Sequence, residues 1–84
     1  MSATVRKIRP SPRELQVLLL ICQGHRNKQI ATMLGVATKT VDVHRYNAMV
    51  KIGAHSVVDV LNYMIDRRHF TPPSLAQTNT DVYS

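Results

Sequence analysis

Residues 27–52 read NKQIATMLGVATKTVDVHRYNAMVKI, and the spacing of their apolar residues predicts two helices meeting at a tight corner. The first is expected from about Asn27 to Leu34, with Ile30, Ala31 and Leu34 on one face. Gly35, Val36 and Ala37 form the corner. The second is expected from about Thr38 to Ile52, where Val41, Ala48, Met49 and Ile52 recur at helical spacings. Gly35 stands where the first helix has to stop, and a left-handed residue at that place is least strained as glycine. Asn27 is the expected N-cap of the first helix. Ala37 occupies the capping place of the second, which leaves Thr38 to take over the cap. Lys51 complements the dipole at the far end, and Gly53 closes the helix.

Both flanks read as further helices. Ser11-Pro12-Arg13-Glu14 is a strong start: Ser11 can cap, Pro12 suits the first helical position, and Glu14 completes a capping box. This helix is expected to run to about Gln23, with Leu15, Leu18, Leu19 and Cys22 on its main face and Val17, Leu20 and Ile21 widening the apolar arc. Gly24 ends it. On the other side, Ser56-Val57-Val58-Asp59 reads as a second capping box and opens a helix running to about Arg68. Val57, Val60, Leu61 and Met64 line one of its faces. Val58, Tyr63 and Ile65 lie off that face and leave apolar surface spare. The expected class is all-α, a four-helix helix-turn-helix domain over residues 11–69. Residues 1–10 are expected to be a basic arm or a linker, and residues 70–84 a disordered tail.

The remaining sequence narrows the function. A chain of 84 residues makes one small domain with a modest core. Eleven Lys and Arg against five Asp and Glu give a net charge of +6, which favours a polyanionic partner. No apolar run is long enough to span a bilayer, no signal-peptide core is present, and a lone cysteine fits a reducing cytoplasm. Cys22 lies on the core stripe and reads as an inert small hydrophobe. His25, His44, His55 and His69 lack the spacing of a metal site, so neither a metal nor a cofactor is expected. No nucleophile–base arrangement can be built, so an enzyme is not expected either.

Taken together, Pro12-Arg13-Glu14, Gly24, Asn27-Lys28-Gln29-Ile30-Ala31, Leu34-Gly35, Lys39-Thr40-Val41, Val43-His44-Arg45, Asn47, Lys51, Gly53 and Ser56 closely resemble the LuxR/NarL/FixJ (GerE-type) DNA-binding domain. The resemblance covers roughly residues 11–68. It implies a bacterial transcription regulator that binds double-stranded DNA as a homodimer through its fourth helix. It also implies, in most members, an upstream receiver or ligand-binding domain. The chain departs from the family pattern at Asp42, Tyr46 and Val50, positions that are often basic or polar in the family.

On a helical cylinder, Val41, Ala48 and Ile52 face the domain, while Lys39, Asp42, Val43, Tyr46 and Asn47 fall on or near the opposite side. Asp42, Val43, Tyr46 and Asn47 are the expected base readers. An ionised Asp42 can only accept, so its natural base partner is the cytosine N4 amino group. Because it repels phosphate, it is expected to sit deep in the groove or to pair with Arg45 or Lys39, and its other reading is charge balance near the helix N-terminus. Lys28, Thr38, Lys39, Thr40, Arg45 and Lys51 are the expected phosphate contacts, although Thr38 and Thr40 can also serve as caps. His44 lies at the flank of the core face. Val58, Asn62 and Ile65 are the expected dimer contacts. The competing reading is a helix-turn-helix used as a protein-interaction module contacting RNA polymerase or another regulator, and Asp42, Tyr46 and Val50 favour it.

Overall fold

The computed structural model describes residues 9–72. Four helices follow in order: α1 (Pro12–Cys22), α2 (Asn27–Leu34), α3 (Thr38–Ile52) and α4 (Val57–Asp66). The described residues contain no strand. The arm is therefore described only at Arg9 and Pro10, and the tail expectation lies outside the described residues beyond position 72. Phe70, expected in the tail, packs against the core, and its backbone N–H donates to the Met64 carbonyl oxygen at 3.2 Å.

Local chemistry explains most helix ends. Ser11 Oγ accepts from the Glu14 backbone N–H at 3.1 Å, and Glu14 Oε1 accepts from the Ser11 N–H at 2.8 Å. Pro12 lacks an N–H in the one turn where none is needed. The α2 start differs from expectation: Arg26 is the N-cap residue and makes no side-chain cap, and Asn27 is already helical. Gln29 Oε1 instead accepts from the Arg26 N–H at 2.8 Å. Likewise α3 begins after Ala37 with no side-chain cap, so Thr38 does not take one over. Ser56 caps α4 as expected, at 3.3 Å, while Asp59 reaches back one residue further than a capping box would, to the His55 N–H at 2.7 Å.

At their C-termini the helices share one device. Gly35 (φ 70°) and Gly53 (φ 73°) are left-handed, and the residue after each donates to the carbonyl five positions back: Val36 to Ala31 at 3.0 Å and Ala54 to Met49 at 2.8 Å. This is the Schellman closure. Helix α4 ends in the same pattern, His69 N–H to Met64 O at 2.8 Å, but its left-handed residue is Arg68 (φ 60°). Arg67 is the α4 C-cap, which ends the helix two residues short of the expected Arg68.

The core is Val17, Leu18, Ile21, Ile30, Ala31, Val41, Ala48, Val60 and Met64. Fully burying a side chain the size of Leu, Ile or Val stabilises a fold by about 2 kcal/mol. Helix α1 contacts all three other helices, and α3 packs on α1, α2 and α4. That central position changes the α1 prediction. Its most buried stripe is Glu14, Val17, Leu18 and Ile21, whereas Leu15, Leu19 and Cys22 are only half-buried. Val57 also differs from expectation, being exposed rather than part of the core.

Candidate nucleic-acid interface

Packing α3 by Val41 and Ala48 decides what its other side presents. Lys39, Asp42, Val43, Tyr46, Asn47 and Val50 are all exposed. At 100° per residue they span an arc of about 140° opposite Val41. Val43, Tyr46 and Val50 are 51%, 69% and 60% exposed. They stand three and four residues apart, so they are neighbours on one helix face and form a stripe rather than scattered hydrophobics. The structure thus brings all the expected base readers onto one solvent-facing surface.

The expected phosphate ligands divide. Lys28 is exposed at the start of α2, and Thr38 and Lys39 are exposed in the first turn of α3, with Thr40 half-buried behind them. No side chain caps this turn, and its leading N–H groups suit an anion. Lys51 is placed differently. Its Nζ lies 2.8 Å from Glu14 Oε1, with side-chain exposures of 31% for Lys51 and 7% for Glu14. It is held in an internal ion pair between α3 and α1 instead of standing free for a phosphate, because the nearly buried carboxylate needs a counter-charge. Burial by itself raises the Glu14 carboxyl pKa. The Lys51 ammonium and the Ser11 N–H and hydroxyl outweigh it and hold the group below its ordinary value.

Arg45 is half-buried and also engaged. Its Nη1 donates to Asn27 Oδ1 at 2.9 Å, while Asn27 Nδ2 donates to Asp42 Oδ1 at 2.7 Å. The chemistry fixes the amide orientation, since a guanidinium only donates and an ionised carboxylate only accepts. Asp42 lies in the second turn of α3, beyond the first turn where the helix dipole acts most strongly. Charge balance at the N-terminus therefore explains it less well than the bond to Asn27 does.

On α4, Val57, Val58 and Ile65 are 40%, 62% and 37% exposed; Asn62 is exposed and Leu61 half-buried beside them. The positions share one side of the helix, so the expected dimer contacts form a continuous patch that Val57 enlarges. Among the described residues, no group of three or more His, Cys, Asp or Glu can hold a metal ion, and no helix is long and apolar enough to cross a membrane. Cys22 is half-buried and burial raises its thiol pKa. His44 is half-buried at the edge of the core face, as its position on the cylinder suggests.

Sequence reasoning missed two residues of this surface and its support. Asn27 was expected to cap a helix and instead bridges two side chains of the next one. Glu14 was expected to cap and does, but it also anchors α3. The only signal for Asn27 was indirect: Asp42 and Arg45 stand three apart on α3, opposite in charge, where a third polar group can join them.

Helices α2 and α3, joined at the Gly35 corner with the outer face of α3 exposed, form a helix-turn-helix within a four-helix fold. Residues 11–64 match the family model of bacterial regulatory proteins, luxR family, and the chain belongs to that family. It is similar to the oxygen regulatory protein NreC of Staphylococcus aureus, with 40% identity over 58 residues in strains JH9, JH1 and Mu3. The match covers 69% of this chain and 27% of each relative, so the chain spans about a quarter of the length of these proteins. That family is one of DNA-binding regulatory domains and is not an enzyme class.

Proposed function

We propose that the chain binds specific double-stranded DNA as a homodimer, with α3 in the major groove. Asp42, Val43, Tyr46 and Asn47 meet base edges there. Val43 offers a methyl-sized contact to thymine, and Asp42 an acceptor for the cytosine amino group. Lys28, Thr38, Lys39 and Thr40 hold the phosphates on either side. Arg45 reaches phosphate with the N–H groups that Asn27 does not use. The patch of Val57, Val58, Asn62 and Ile65 joins two copies, so that two half-sites are read at once. A regulator acting this way works in the bacterial cytoplasm, where the chromosome is. The observation that carries the reading is the α3 surface, an uncapped N-terminal turn with Thr38 and Lys39 leading into an exposed stripe of Val43 and Tyr46.

Fluorescence anisotropy with selected and random duplexes, across about 50–200 mM salt, tests this. The expected result is affinity falling steeply with salt and a preference for selected sites. Random duplex bound no better than a neutral polymer at low salt would sink it. Lys28→Ala is expected to weaken all sequences alike and flatten the salt slope by about one. Val58→Asp is expected to leave the monomer folded and weaken DNA binding, and a monomeric variant with full affinity would contradict the α4 dimer.

A second reading is supported by one feature. A shallow groove of about 420 Å³ is lined by Tyr46, Met49, Val50, Gly53, Ala54 and His55, and it offers an apolar seat to a protein such as RNA polymerase. His55→Glu, at the end of the groove beyond α3, separates the two functions: loss of transcription activation with DNA affinity retained would favour this contact.

A further inference from the structure

We infer that Asn27 is a positioning residue, whose amide holds Asp42 and Arg45 apart and so sets what the outer face of α3 offers to DNA; this rests on the DNA-binding reading above. Asp42 and Arg45 are three residues apart on one helix, the spacing at which opposite charges meet directly. Yet among the described residues the ion pair within 4.0 Å is Lys51–Glu14, not Asp42–Arg45. The side chain of Asn27, from the first turn of α2, stands between them. It donates to Asp42 Oδ1 at 2.7 Å and accepts from Arg45 Nη1 at 2.9 Å. Each bond involves an ionised partner, so each is stronger than a neutral amide contact.

The consequence lies in what stays unspent. Asp42 keeps its second oxygen as an acceptor, and Arg45 keeps its other N–H donors. A direct Asp42–Arg45 pair would use each group against the other. The carboxylate would be turned along the helix toward Arg45 instead of outward to a base amino group, and the partly neutralised guanidinium would attract phosphate less. The link also ties the scaffold helix to the reading face of α3, so the placement of Asp42 is referred to α2 as well as to its own backbone.

The test compares wild type, Asn27→Ala, Asn27→Asp and Asp42→Ala in site selection and in anisotropy against single-base variants of the selected site. Asn27→Asp keeps an acceptor for Arg45 but replaces the donor to Asp42 with an oxygen that repels it. Both Asn27 variants are expected to lose the same base preference that Asp42→Ala loses, about tenfold at one base pair. The double variant Asn27→Ala/Asp42→Ala is expected to lose no more. A merely structural Asn27 would behave otherwise: every sequence weakened by one factor and the base preference intact. That result, or additive losses in the double variant, overturns the inference while leaving DNA binding standing. Failure of wild type to bind duplex overturns both and is recognised before any variant is made.

Discussion

Helix α3 is tied to its neighbours by two polar links of opposite character. On its inner side, Lys51 meets a Glu14 carboxylate that is almost wholly buried. On its outer side, Asp42 and Arg45 share the Asn27 amide, with Asp42 in solvent. The inner link belongs to the fold. A buried carboxylate left without its cation is strongly destabilising, although the intact pair contributes little net stability. The outer link is screened by water and adds little to stability. It acts instead on which atoms are presented, where small shifts in geometry matter.

Removing the inner link is the most damaging way to test this contrast. Glu14→Ala loses the Ser11 capping box and the Lys51 partner together, and is expected to destabilise by about 3 kcal/mol in denaturant unfolding. A loss under 1 kcal/mol would mean the pair is dispensable. Lys51→Ala leaves the buried carboxylate without its cation and is expected to cost a similar amount, about 3 kcal/mol, softened only by the Ser11 N–H that still donates to Glu14 Oε1. DNA affinity of the folded fraction should be unchanged, since Lys51 is not free for phosphate.

Acid should dissolve the inner link selectively. The folded-state pKa of Glu14 lies below its unfolded value. Its contribution is therefore present above the unfolded pKa, about 4.3, and is lost as pH falls through the lower folded value. The melting-temperature gap between wild type and Glu14→Gln should be widest above about pH 5 and should close on acidification. A gap that widens in acid would reverse the sign of the argument.

The smallest expected effect on stability comes from the outer link. Asp42→Ala is expected to shift unfolding by no more than about 0.5 kcal/mol, as for an exposed ionic contact, while changing base preference. A large stability loss there would erase the contrast between the two sides of α3.

Much of the fold was legible in short stretches. Ser11 and Glu14 announced α1, Ser56 announced α4, and Gly35 and Gly53 marked where α2 and α3 end, because caps and left-handed turns are satisfied within a few residues. The exposed face of α3 was legible too, since helical periodicity alone separates Val41 and Ala48 from Val43 and Tyr46. One local cap and the stripe of α1 differ from the sequence reading. Asn27 resembled a cap, yet Gln29 serves the start of α2. The main α1 face is expected at Leu15, Leu18, Leu19 and Cys22, whereas in a helix that packs on all three others it is Val17 and Ile21 that join Leu18 in the core.

The sequence by itself determined the number of helices, the glycines that close α2 and α3 and the side of α3 that meets solvent, because each depends on groups within a turn or two. Only the tertiary structure decided that Glu14 and Lys51, 37 residues apart, share an ion pair, and that Asn27 reaches across to Asp42, 15 residues on. Those pairings depend on how the helices pack against one another. That arrangement is set by how the core side chains interlock, and no local pattern records it.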